Sequence, residues 1–162
     1  MAEILFRGKR LDNGEWVEGY LYEHEPPLVG IVSEKDKPEA SKWFIARTGF
    51  ADWNLPRPVE LVEVDPSTVG QYTGLNDKNG KRIFEGDIIK PFDDEIDKMV
   101  VEFHHGQFLL CLYGERGYMT EYGWEEKGNY GCFEAEPLSS YGDDIEIIGN
   151  IHDNPEYMKG RC

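Results

Sequence analysis

The sequence is poor in the residues that would announce a covalent frame or a reaction. It holds three cysteines, Cys111, Cys132 and Cys162, an odd number, widely spaced and without a C-x-x-C pair. That usage argues against a disulfide scaffold or a zinc site and predicts reduced thiols in a cytoplasm. Positive charge is also scarce, with 17 Lys and Arg against 32 Asp and Glu and a formal net charge of −15. Affinity for a nucleic-acid duplex comes largely from cations that neutralise phosphates, so duplex DNA or RNA is a poor match. No apolar run reaches the roughly 18 residues that cross a bilayer, and Met1 to Arg10 lacks the apolar centre of a signal peptide. The expectation is a soluble, unexported chain with no membrane partner. G-x-S-x-G, P-loop and G-x-G-x-x-G motifs are all missing.

What the chain does have is enough material for a core. At 162 residues with 40% hydrophobic content it can fold without disulfides or metal. Its 18 glycines exceed the usual share of about 7%, which suits many turns between short strands. Strands are expected at Ile4 to Phe6, Glu15 to Tyr22, Leu28 to Val32, Trp43 to Ala46, Val59 to Val64, Ile88–Ile89, Met99 to Phe103, Phe108 to Leu112 and Ile145 to Ile151. Asn13-Gly14 marks a hairpin before Glu15. Within Glu15 to Tyr22, Trp16, Glu18, Tyr20 and Tyr22 alternate with Val17, Gly19 and Leu21, so both faces are expected to be partly covered. Ser33 to Lys42 and the turn-rich Thr48 to Pro58 read as loops, and Pro155 opens a short helical turn. Charge is uneven: residues 1–64 carry 8 Lys/Arg against 12 Asp/Glu, and residues 65–162 carry 9 against 20.

The chain is organised around Val64 to Ile89. Asp65-Pro66-Ser67-Thr68 is turn chemistry that opens at most one helical turn. Asn79-Gly80 predicts a two-residue type I′ hairpin, because both central positions of that turn need positive φ. Gly86-Asp87 bends the chain into the apolar Ile88-Ile89. Asp77-Lys78-Asn79-Gly80 resembles part of a calcium loop, yet placing Gly80 at position 6 puts Leu75 at position 1 and Gly86 at position 12, so both key ligands are missing. Glu85 and Asp87 share a face if the segment is extended, which makes them candidates for an acid–base pair; turn and strand-entry roles are the competing account.

Elsewhere each candidate has an ordinary explanation. Arg7, Lys9 and Arg10 form the one dense basic cluster, at a hairpin edge where charge discourages strand aggregation. Asp93, Asp94, Glu95 and Asp97 crowd an acidic loop that could grip a cation but reads as solvated. His104 and His105 would point to opposite faces of a strand and so do not make a metal pair, and His24 and His152 are remote. Around them, His104-His105-Gly106-Gln107 is expected to be a short hairpin loop with a bulge. Cys111 lies mid-strand, where a buried, inert thiol is expected. Gly114 to Glu136 carries Tyr118, Tyr122, Trp124 and Tyr130 among Gly and Glu, the best candidate for a contact surface, with a loop folded over a barrel as the alternative. The residues thus nominate no catalytic, cofactor-binding or metal site.

With those residues in view, the chain resembles the YopX family of phage and prophage proteins. The resemblance rests on F-R-G-K-R-L-D-N-G-E-W-V-E-G-Y-L at 6–21, on V-D-P-S-T-V-G-Q-Y-T-G-L-N-D-K-N-G-K-R-I-F-E-G-D-I-I at 64–89, and on I-I-G-N-I-H-D-N-P-E at 147–156. It implies a mostly β protein with an N-terminal β subdomain at 1–70 and a C-terminal SH3-like small barrel at 71–162 that closes with Ile145 to Ile151; the aromatic, Gly-rich stretch at 114–141, which carries no family motif, is expected as an insertion in that barrel. It also implies a mobile-element origin and a bacterial cytoplasm, and it supplies no catalytic residues or cofactor. The expected function is a non-enzymatic module that binds a host or phage protein; exposed sheet edges would also allow a homo-oligomer. Two other classes remain open. One is single-stranded nucleic-acid binding through Trp16, Tyr20, Tyr22 and the Arg7/Lys9/Arg10 cluster. The other is a metal-assisted enzyme using Asp93, Asp94 and Asp97.

Overall fold

The computed structural model describes residues 3–25, 41–49, 58–90, 98–114, 118–120, 123–125, 131–141 and 145–158, with the side chains at 112–136 and 158 outside that set. The chain is mostly β, built of antiparallel strands with only short 3-10 turns among the described residues. It divides into two compact units, Met1–Gln71 and Tyr72–Cys162. Among the described residues no helix is long and apolar enough to cross a membrane. The expected strand at Leu28 to Val32 and most of the expected loops at Ser33 to Lys42 and Thr48 to Pro58 lie outside the described residues.

The first unit contains β1 (Phe6–Lys9), β2 (Trp16–His24), β3 (Lys42–Thr48) and β4 (Val59–Val64). These lie side by side in the order β4-β3-β2-β1. β1 also pairs with the first two residues of β5 (Gly70–Asn76), through Phe6↔Gln71 and Arg7↔Gly70. The expected strand at Ile4 to Phe6 starts later: Ile4 is exposed and pairing begins at Phe6. Asn13-Gly14 does join a hairpin, but as the end of a four-residue loop, with Arg10 N–H donating to Glu15 O at 2.9 Å and Gly14 N–H to Arg10 O at 3.0 Å.

Alternation decides what this sheet buries. Val17, Ile45, Val62 and Val64 form a core cluster, flanked by Phe6, Leu21, Trp43 and Val69. Each such side chain removed from water contributes about 1.5–3 kcal/mol. On β2 the apolar face is buried at Val17 and Gly19, while Glu18, Tyr20 and Tyr22 are exposed. The outer face is partly covered too, as expected, at its Trp16 end, where Arg7 and Lys9 lie over the half-buried indole. Gly19 is fixed by space: a Cβ there would lie 2.3 Å from Ala46 O and 2.8 Å from Ile45 Cγ2. After β4 the chain enters a 3-10 turn over Pro66–Thr68, with Asp65 Oδ1 accepting Ser67 N–H at 2.9 Å. Thr68 Oγ1 then accepts Lys9 N–H at 2.8 Å, which ties the turn to β1.

In the second unit the rest of β5 pairs with β6 (Arg82–Phe84), and a five-stranded sheet runs in the order β12-β9-β8-β7-β13. Its members are β7 (Asp87–Lys90), β8 (Met99–His104), β9 (Gln107–Gly114), β12 (Gly131–Pro137) and β13 (Glu146–Asn150). The first strand sits between the second and the last, and a 3-10 turn over Leu138–Ser140 separates the last two. That arrangement is compatible with an SH3-like barrel. Within the span expected as an insertion, β10 (Tyr118–Thr120) and β11 (Gly123–Glu125) pair with each other, and β12 joins the main sheet as a bona fide member. The core gathers Ile83, Ile89, Met99, Val101, Leu110, Leu138 and Ile145.

Two turns differ from their sequence reading. Around Asn79-Gly80 only the glycine is left-handed (φ 79). Asp77 N–H donates to Lys81 O and Gly80 N–H to Asp77 O, both at 2.8 Å. This is a three-residue loop closed by a left-handed glycine rather than a type I′ turn. Conversely, β8 and β9 are joined by His105 (φ 52) and Gly106 (φ 85) alone, with His104 opposite Gln107, so the expected bulge is not there. Two consecutive positive φ values match the type I′ pattern.

The Asp77 loop is stapled to β13. Asp77 is buried; its Oδ1 accepts Asn79 N–H and Lys81 N–H at 2.9 Å, and its Oδ2 accepts Ile147 N–H at 3.3 Å. Lys78 adds N–H to Ile145 O at 2.9 Å and an ion pair to Glu146 at 2.6 Å. Burial by itself would raise the Asp77 pKa, but donation from the Lys81, Ile147 and Asn79 amides outweighs it and holds the carboxyl below its ordinary value. A depressed carboxyl adds stability that is complete above its unfolded pKa of about 4 and is lost as pH falls through the lower folded value. Asp77→Asn should therefore cost about 1–3 kcal/mol at neutral pH and progressively less in acid. Urea midpoints of both proteins across that range check this; a penalty independent of pH would contradict it. In the first unit, Gly19→Ala should cost about 1–3 kcal/mol by forcing a backbone shift, read from the same unfolding curves.

Candidate functional site

Two arrangements of functional groups emerge, one in each unit. On the first unit the face opposite the core carries a ladder of rows set by strand register. Lys9 stands opposite Trp16 and Arg7 opposite Glu18. Tyr20, Ala46 and Leu61 then line up across β2, β3 and β4, and Tyr22, Phe44 and Glu63 form the next row. Tyr20 is 64% exposed and Leu61 52%, with Ala46 a low point between them. Tyr22 packs on Phe44 with ring centroids 6.2 Å apart, and Val59 extends the apolar surface along β4.

The cations sit at one end of this face. The Arg7 guanidinium lies 4.6 Å from the Trp16 ring centroid and the Lys9 ammonium 5.6 Å from it. Such contacts draw on the negative face of the indole. Arg7 is itself buried. Arg10, grouped with these two by sequence, turns away: it pairs with Asp12 through bonds of 2.9 and 2.6 Å and holds the Asp12 carboxyl below its usual range. Along β4 a hollow of about 440 Å³ is lined by Arg10, Leu11, Asp12 and Glu60 to Glu63, so charges of both signs border the apolar rows.

In the second unit, Glu102, His104 and Cys111 place one ligand atom each within 4.8 Å of one another. His104 Nε2 lies 2.5 Å from Glu102 Oε2. From the sequence, His104 and His105 make no metal pair and Cys111 is expected to be an inert, buried thiol. The fold instead puts His105 in the turn and brings His104 to Glu102 on its own strand and to Cys111 on the next. The signal was present in the spacing Glu-x-His on a strand, since residues two apart share a face.

The other nominated groups are differently employed. Glu85 and Gly86 form a turn with φ 82 at the glycine, so the segment is not extended and the shared-face argument for Glu85 with Asp87 lapses. The buried Asp87 carboxylate accepts Phe84 N–H at 2.8 Å. The Asp77 carboxylate, at the would-be calcium loop, is directed to backbone amides. Asp93, Asp94, Glu95 and Asp97 lie outside the described residues, as do Tyr122, Tyr130 and the side chains of Tyr118 and Trp124.

Comparison with known proteins adds a relationship. A family model described as YopX protein matches residues 5–159. No curated protein matches the chain. Among solved structures, the crystal structure of protein EF1440 from Enterococcus faecalis aligns over 98% of this chain and 100% of that one, with 23% identity and a TM-score of 0.42.

Proposed function

The chain belongs to the YopX family, and from that premise we propose that it is a non-enzymatic protein-binding module of phage or prophage origin. It works in the bacterial cytoplasm, and its partner is a host or phage protein. The contact surface is the outer face of the first unit, centred on Tyr20, Tyr22, Phe44 and Leu61. The observation that carries this reading is the Tyr20–Ala46–Leu61 row, where two large apolar side chains stand more than half exposed on either side of a small one. Tyrosine supplies wide contact area at low entropic cost and is over-represented among residues that dominate binding energy. The rim fits the same picture, with Glu63 in the second row and the Arg10–Asp12 pair along the β4 hollow offering charges of both signs.

The Arg7–Trp16–Lys9 cluster favours a second reading, single-stranded nucleic acid stacked on the aromatic row. Against it stand Glu18 and Glu63 on the same face and the net charge of −15, which repel a polyanion. Salt separates the two, because phosphate binding weakens steeply with ionic strength and an apolar contact does not.

Affinity capture from bacterial lysate with the wild-type chain should retain a protein that survives high salt. The double variant Tyr20→Ser/Leu61→Ser, both exposed and thus neutral for folding, should lose it by about 30-fold or more, the loss expected for a central tyrosine. Retention by the variant would place the contact elsewhere. Quenching of tryptophan fluorescence by single-stranded oligonucleotides at low salt, abolished at high salt, would replace the protein-binding reading with the nucleic-acid one.

A further inference from the structure

We propose that Glu102, His104 and Cys111 form a binding site for a borderline divalent transition-metal ion, with Zn²⁺ the best fit, and that its fourth coordination position opens to solvent. Strand register brings the three side chains together. Glu102 and His104 are two apart on β8 and share a face. Pairing of Val100 with Cys111 and of Glu102 with Leu109 puts Cys111 on that face as well, one diagonal step from Glu102. The turn residues His105 and Gly106 fix this register without a bulge, and a slip of one residue would send Cys111 to the opposite side.

Distance and chemistry then agree. The three donor atoms already lie within 4.8 Å of one another. A tetrahedral zinc site, with bonds of about 2.0–2.3 Å, needs donors about 3.3–3.8 Å apart. The ion would enter between His104 Nε2 and Glu102 Oε2, now 2.5 Å apart, by spreading that pair by about 1 Å, a rotamer-scale adjustment of half-exposed groups. One sulfur, one nitrogen and one oxygen form a set that suits zinc and cobalt and is wrong for magnesium or calcium, which take oxygen ligands. Exposure grades across the cluster, from 49% at His104 through 25% at Glu102 to fully buried at Cys111. The ion therefore arrives past the imidazole, the thiol anchors it from the floor, and water takes the remaining position. Binding requires thiolate and neutral imidazole, so the thiol proton is released to solvent as the metal–sulfur bond forms, together with the imidazole proton where His104 enters protonated.

The test is a titration of the reduced, metal-free full chain with Co²⁺. The expected result is a thiolate-to-cobalt charge-transfer band saturating at one equivalent, displaced by Zn²⁺, with Zn²⁺ raising the melting temperature. The band should vanish in Cys111→Ser and persist in Cys132→Ser/Cys162→Ser. His104→Ala and Glu102→Gln alter exposed or half-exposed side chains and keep the test open should the cysteine variant not fold; each should weaken binding at least tenfold. No charge-transfer band in the wild type, a band that survives Cys111→Ser, or affinity unchanged in His104→Ala would overturn the site.

Discussion

The second unit depends on one buried carboxylate. Asp77 sits where a three-residue loop leaves two amides, Asn79 and Lys81, pointing inward without strand partners, and it accepts both. Its other oxygen reaches Ile147, 70 residues away in sequence, so the loop and the closing strand are fastened by one side chain. A buried acid without donors would be costly; one with three amide donors is better satisfied inside than a neutral group of the same shape. Asp87 repeats the device on a smaller scale, meeting Phe84 N–H as β7 begins. Acids that looked like chemistry in the sequence are therefore part of the way this fold satisfies its backbone.

The same two-residue period that builds the cores also produces both candidate surfaces. On β2 the alternation that buries Val17 and Gly19 must present Trp16, Glu18, Tyr20 and Tyr22 on the other face. On β8 it buries Met99 and Val101 beside Leu110, and sends Val100, Glu102 and His104 the other way, toward the side that carries Cys111. Neither surface needs a special loop. Each follows from register, and register in turn is held by short turns: the Leu11–Gly14 loop for the first hairpin and His105-Gly106 for the second.

Much of the strand layout was legible in the sequence because hydrophobic alternation and turn residues report local geometry directly. Val59 to Val64 appears at its expected limits, and Ile88-Ile89 falls within β7. The turn types were less legible. Asn79-Gly80 carries a strong hairpin signal, yet Asp77 diverts the loop because its carboxylate collects the Asn79 and Lys81 amides. His105-Gly106 carries a weaker signal and makes the tighter turn. The cluster of Glu102, His104 and Cys111 was hidden for a related reason: two of its members could be paired by strand spacing, but the third depends on which residue of β9 stands opposite Val100. The outer aromatic face was read only in part, since the sequence named Trp16, Tyr20 and Tyr22 but could not place Phe44, Ala46 and Leu61 beside them without the β2–β3–β4 register.

The left-handed histidine sharpens the case that the β8–β9 register matters. A non-glycine residue in that conformation costs of order 1 kcal/mol, and His105 is the one such residue among those described. A looser loop with one more residue would relieve the strain, but it would also relax the requirement that His104 face Gln107. With that pairing released, Glu102 and Cys111 would no longer be held on one side by the turn, and the strand could drift toward the slipped register that exposes Met99 and Val101. The strain is thus matched to two gains at once, a buried apolar row on one face of the hairpin and a convergent oxygen, nitrogen and sulfur set on the other. Packing alone would explain the first. The convergence of three different ligand types above the same turn is what makes the second face more than a by-product of the first.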